Sequence, residues 1–156
     1  MKVTDFEIDG KNGIVSKSFN NLKIKSFAEA CKWVERLDYK RNNDKNNKLV
    51  LFEEKCGTCS TKHALLKRLA DENGNKTLKL MLGIFIMNSK NTPAIKDVLT
   101  KYDLKYIPEA HNYLRNHNHI LDFTGIGVKE TKFELDLLEE VEIIPDQITG
   151  YKVEYH

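Results

Sequence analysis

Cys56 and Cys59 stand three apart in EEKCGTCSTKHALLKRLADENG, residues 53–74, at the mouth of a segment with strong helical character. Thiols at this spacing suit metal ligation, dithiol redox exchange or nucleophilic attack. A zinc site would use Cys56, Cys59 and His63, but structural zinc asks for four ligands and the sequence holds no second cysteine pair. A thioredoxin-like pair also opens a helix, yet here a helical segment precedes the motif and no early βαβ pattern supports it. Two buried thiols without chemistry are a further reading, because cysteine packs as a small hydrophobe. A nucleophile needs a thiolate-stabilising position, a base, and a group that orients the base. Cys59 lies just before the predicted helix start, where unpaired N–H groups and the positive end of the helix dipole lower a thiol pKa. Cys56 is a turn earlier, outside that field. The same N–H groups, that of Cys59 included, could donate to an oxyanion.

A base and its orienter follow from a hairpin. IPEAHNYL (107–114) and HILDFTG (119–125) flank the turn-like residues 115–118. A turn centred between Asn116 and His117 places His111 directly opposite Asp122, with Cβ atoms ~4.5–5.5 Å apart and both side chains on one face. A carboxylate there would hold the imidazole, as in a catalytic triad. His119, an odd offset from Asp122, projects to the other face. His117 sits at the turn tip, and the relation of His63 to Cys59 depends on where the helix begins. Candidates for a second oxyanion donor are Trp33, Tyr39 and Asn42, all in the preceding segment.

These residues need elements to position them. VTDFEID (3–9) and SFNNLKIKS (18–26) predict short edge strands. Ser26 with Glu29 forms a capping-box pattern, and Phe27, Ala30, Cys31, Val34 and Leu37 share one face of a helix over about 27–38. DYKRNNDKNNK (38–48) is a solvated connection, and LVLF (49–52) a short apolar run. From Ser60 to about Asn73 the chain favours helix, with Ala64, Leu65, Leu69 and Ala70 as its buried stripe and Asn73-Gly74 as its stop. LKLMLGIFIM (78–87) predicts a fully buried strand. Thr92-Pro93 opens a helix to about residue 102. ETKFELDLLEEV (130–141) predicts a helix, Pro145 a break, and YKVEY (151–155) a last strand.

The sequence has 156 residues, 40% hydrophobic and 31% charged, which suits one globular domain over 1–156. Its 25 basic and 23 acidic residues are interspersed and leave a net charge of +2, so no basic stripe points to nucleic acid. A polar N-terminus and the lack of a long apolar run argue against a membrane and predict a cytoplasmic protein. DENGNK (71–76) lacks the ligand series of a calcium loop, and no cofactor or metal is expected.

Taken in order, Gly57-Thr58-Cys59, Ala64-Leu65-Leu66, the helix ending near Gly74, the buried strand, Glu109-Ala110-His111 and Leu121-Asp122 resemble the core of the transglutaminase-like superfamily. The order Cys, His, Asp, with spacings of 52 and 11, carries the resemblance over about residues 49–125. It implies an α+β, papain-like architecture in which a central helix, with the cysteine at its N-terminus, packs on an antiparallel sheet. It also implies acyl transfer by Cys59, His111 and Asp122 on a peptide, protein or small amide, by hydrolysis or transamidation. The alternatives are an inactive binding module of the same fold and a Cys-x-x-Cys metal or redox protein.

Overall fold

The structure, a computed structural model, describes residues 5–125, 136–150 and 154. It is an α+β arrangement in which one central helix lies between a four-stranded antiparallel sheet and a group of shorter helices.

That central helix is α4 (Cys59–Glu72). It begins where Thr61 Oγ1 accepts the Thr58 N–H at 3.1 Å and the Lys62 N–H reaches the Thr58 carbonyl at 3.0 Å. It ends in a Schellman turn: Gly74 takes φ 74°, its N–H bonds the Asp71 carbonyl, and the Asn75 N–H bonds that of Ala70. Residues Cys59 to Leu66 are buried on every side, far wider than the stripe of a surface helix.

Around it, α1 (Ile14–Asn21) and α2 (Phe27–Arg36) bring Val15, Phe19, Ala30 and Val34 into the core. Both halves of the Ser26/Glu29 capping box are formed. The strand expected over 18–26 is replaced at its start by α1, and its end meets the chain near Glu7 through a single Glu7–Ser26 bridge among the described residues. The cause is distant in sequence. Glu72, at the end of α4, accepts the N–H groups of Val15 at 3.1 Å and Ser16 at 2.7 Å, and the Ser16 hydroxyl at 2.6 Å. It thus satisfies amides that the first turn of α1 leaves open. The run at 49–52 enters a single helical turn, α3 (Val50–Glu54), closed by left-handed Lys55 at φ 54°.

The sheet has the order β5 (His119–Leu121), β4 (Ile107–Asn116), β3 (Leu78–Met87), β6 (Leu137–Ile143). β3 (Leu78–Met87) matches its expected span and runs through the centre. A 3-10 turn (Pro93–Ile95) and α5 (Lys96–Lys101) lead to β4 (Ile107–Asn116) and β5 (His119–Leu121). Residues 137–141, the end of the helix expected over 130–141, instead form β6 (Leu137–Ile143) together with the two residues that follow. Pairing with the open edge of β3 overrides the intrinsic helix preference. A register shift at Ile84/Phe85 lets Val141 and Ile143 face the helices while Leu137 packs with Phe85 on the other side. The rest of the helix expected over 130–141, up to residue 135, and the strand expected over 151–155, Glu154 apart, lie outside the described residues.

A small parallel pair, β1 (Asp38–Tyr39) and β2 (Cys56–Gly57), joins the chain after α2 to the entrance of α4, with Tyr39 paired to Gly57. The solvated connection expected over 38–48 therefore begins with two residues bound to the entrance of the central helix.

Candidate active site

The hairpin register differs from the one expected. The turn is His117-Asn118, with His117 at φ 51°, and it pairs Leu114 with Leu121 and Arg115 with Ile120. The residue facing any given position thus moves by two, so Asp122 is not directly across from His111. A shift of two keeps the same face. Asp122 follows the last residue of β5, where its Oδ1 accepts the Thr124 N–H at 2.9 Å and turns the chain. Its Oδ2 lies 2.8 Å from His111 Nε2. The diagonal is bridged by the side chains.

With Nε2 engaged by Asp122, the His111 ring also lies close enough to the Cys59 side chain for the sulfur to act on its charge. Burial works against a charge on His111, but Asp122 and the Cys59 sulfur outweigh it and raise its pKa to about 9. Asp122 is drawn the opposite way: desolvation raises it, yet the bonds and charges of His111, His63 and the Thr124 N–H hold it well below the usual carboxylate range. A buried sulfur, an imidazole that favours its proton, and an ionised carboxylate therefore converge at the N-terminus of α4. The His111 ring stands 6.0 Å from that of Phe85 and 6.3 Å from that of His63, centre to centre.

Of the three oxyanion candidates, Tyr39 lies at the site. Half-exposed at 46%, it is delivered by its pairing with Gly57 and lies close enough to Cys59 for the two groups to act on each other. Burial, then the Cys59 sulfur, pushes its pKa up to about 12, so the hydroxyl keeps its proton. Asn42 is spent elsewhere. Its Nδ2 donates to the Cys56 carbonyl at 2.9 Å and to Glu54 at 3.0 Å, and its Oδ1 accepts from Thr61 at 2.7 Å. That amide braces the entrance to α4 and leaves neither N–H for an oxyanion. Trp33 is a packing residue, stacked on Phe52 at 5.0 Å and edge-on to Phe19 at 5.5 Å. Cys56 sits beside Glu54 and Asn42. The ring nitrogens of His63 face the Cys59 carbonyl and the Phe123 N–H, so the zinc set imagined from Cys56, Cys59 and His63 has no imidazole donor to spare. Among the described residues no group of three or more His, Cys, Asp or Glu is arranged to hold a metal ion.

The buried polar first turn of α4 was not foreseen. Ser60 donates to Asn112 at 2.8 Å, and Asn112 in turn donates to the Met81 carbonyl of β3. Lys62 is fully buried, its ammonium donating to the carbonyls of Leu37 at 2.6 Å and Thr124 at 2.7 Å. Desolvation lowers its pKa. The signal was present as four polar residues, Ser60 to His63, directly after Cys59. Their burial is visible only once the helix is seen to be central.

Comparison with protein-family models, with curated proteins and with solved structures finds no match. Among the described residues no helix is long and apolar enough to cross a membrane.

Proposed function

We propose that this protein is a thiol-dependent acyl-transfer enzyme of transglutaminase-like, papain-like type, acting on an amide of a peptide, protein or small molecule. One observation carries the reading: His111, bonded to Asp122 through Nε2, lies where the Cys59 side chain at the tip of α4 acts on its charge. In this mechanism the Cys59 thiolate attacks the acyl carbon, forming a C–S bond and a tetrahedral oxyanion. The Cys59 N–H and the Tyr39 hydroxyl stabilise that charge. Protonated His111 gives its proton to the leaving amine as the C–N bond breaks, and a thioester remains. His111 then takes a proton from water or from a second amine, which attacks the thioester and releases Cys59. Asp122 stays ionised throughout and fixes the imidazole. The odd count of three cysteines suits no closed disulfide framework and fits a reducing compartment such as the cytoplasm.

A second reading has its own observation. Cys59 is only 5% exposed, which favours an inactive module of the same fold if no motion opens the site. Incubation with p-nitrophenyl acetate and peptide mass mapping separates the two. The acyl-transfer reading expects an acetyl group on Cys59 that is released with time, and none on Cys59→Ser protein. A wild-type protein that never acquires the acetyl group supports the inactive module.

A further inference from the structure

His63, in the first turn of α4, has no part in the acyl-transfer steps, yet it is fully buried and faces a main-chain group at each ring nitrogen. Nδ1 lies 2.8 Å from the Cys59 carbonyl oxygen, and Nε2 is 2.8 Å from the Phe123 amide nitrogen. An amide N–H only donates, so Nε2 supplies a lone pair and the ring proton sits on Nδ1, donated to the carbonyl. The backbone thereby selects one neutral tautomer. Burial keeps the ring neutral, pushing its pKa down to about 4 against the attraction of Asp122.

We propose that His63 is a positioning residue: a neutral imidazole that sets the distance between the main chain of Cys59 and the segment bearing Asp122. A closed circuit results. It runs from the Cys59 carbonyl through the His63 ring to Phe123, back one residue to Asp122, across to His111, and from His111 to the Cys59 side chain. Lys62 makes a second tie from the same turn, but it reaches the chain two residues beyond Asp122. The neutral state matters as well. His63 Nε2 lies 3.5 Å from Asp122 Oδ1, so a protonated ring would lose the Phe123 N–H and compete with His111 for the carboxylate. The ionisable groups that act on His63 are Asp122 beyond β5, His111 on β4 and Lys62 on its own helix. The inference rests on the acyl-transfer reading for its purpose, though its geometry stands without it.

Nitrogen-15 NMR of histidine-labelled protein, without substrate, reads both rings. The expected result is a wild-type His63 with its proton on Nδ1 and no titration between about pH 5 and 9, the range in which an unperturbed histidine would titrate. In His63→Leu the His111 midpoint falls by about one unit, and alkylation of Cys59 by iodoacetamide at about pH 6 slows about tenfold, the equivalent change. His63→Gln, which keeps one donor and one acceptor, restores part of both. A wild-type His63 that titrates at an ordinary value or carries its proton on Nε2 overturns the inference, and so does an unchanged His111 midpoint in folded His63→Leu protein. The tautomer measurement needs no variant, so the decision does not depend on His63→Leu folding. An unreactive wild-type Cys59 beside the expected tautomer and His111 shift supports the positioning role while rejecting acyl transfer.

Discussion

Asp122 is the residue on which the charge state of the site turns. It gives His111 Nε2 a carboxylate partner at 2.8 Å, from 18% exposed surface, where water screens the pair only in part. Asp122→Asn keeps the shape and removes the charge, so His111 loses its proton more readily and is a weaker partner for the attacking thiolate of the proposed mechanism. Acylation of Cys59 is expected to slow by roughly 10²-fold or more, in keeping with the large effect of the same change in a serine triad; the acetylation rate on Cys59 measures it. The two histidines also set opposite slopes of stability with pH. His111, raised to about 9, binds its proton more tightly folded than unfolded, so its contribution is full below the unfolded value of ~6.5 and is lost as pH rises through about 9. His63, lowered to about 4, is charged only in the unfolded chain between those values, so stability falls as pH drops below ~6.5. Asp122 adds a loss at still lower pH, since its folded pKa is depressed. Urea midpoints are expected to peak near pH ~6.5, and His111→Ala to flatten the alkaline side. An alkaline slope unchanged in that variant would contradict the assignment of charge to His111.

At the scale of elements, most of what local chemistry governs was legible. The Ser26/Glu29 box, the Asn73-Gly74 stop and the ten apolar residues of β3 each carry their own signal. What was not legible depended on partners far along the chain. α1 takes its N-terminal partner from Glu72, more than fifty residues on, and β6 its conformation from the edge of β3. The hairpin register was misplaced by two because nothing local in Arg115-Asn116-His117-Asn118 decides which pair forms the turn. The pairing of His111 with Asp122 was nonetheless foreseen, since parity, rather than exact opposition, decides the face. Glu72→Ala should test the long-range cap, leaving the Val15 and Ser16 amides and the Ser16 hydroxyl without their carboxylate. A loss of about 2 kcal/mol is expected for charge-assisted bonds of this kind. Urea denaturation would record it, and an unchanged midpoint would mean that water replaces the carboxylate at no cost.

Across the whole molecule, α4 joins the apolar core to the site. Leu65, Leu66, Leu69 and Ala70 carry it into the core, while Ser60, Thr61, Lys62 and His63 near its start reach Asn112, Asn42, Leu37 and Phe123. Lys62 ties Leu37 at the end of α2 to Thr124 beyond Asp122. Lys62→Met would leave two carbonyls without a donor, and a destabilisation of about 2 kcal/mol or more is expected, read as a lower urea midpoint. The most direct measurement of the central claim is the rate of iodoacetamide alkylation at each cysteine, followed by peptide mass mapping across pH in wild-type and His111→Ala protein. The account predicts that Cys59 reacts far faster than Cys56 near neutral pH and that the advantage disappears with His111. Equal rates at the two thiols, or a fast Cys59 that is indifferent to His111, would contradict it.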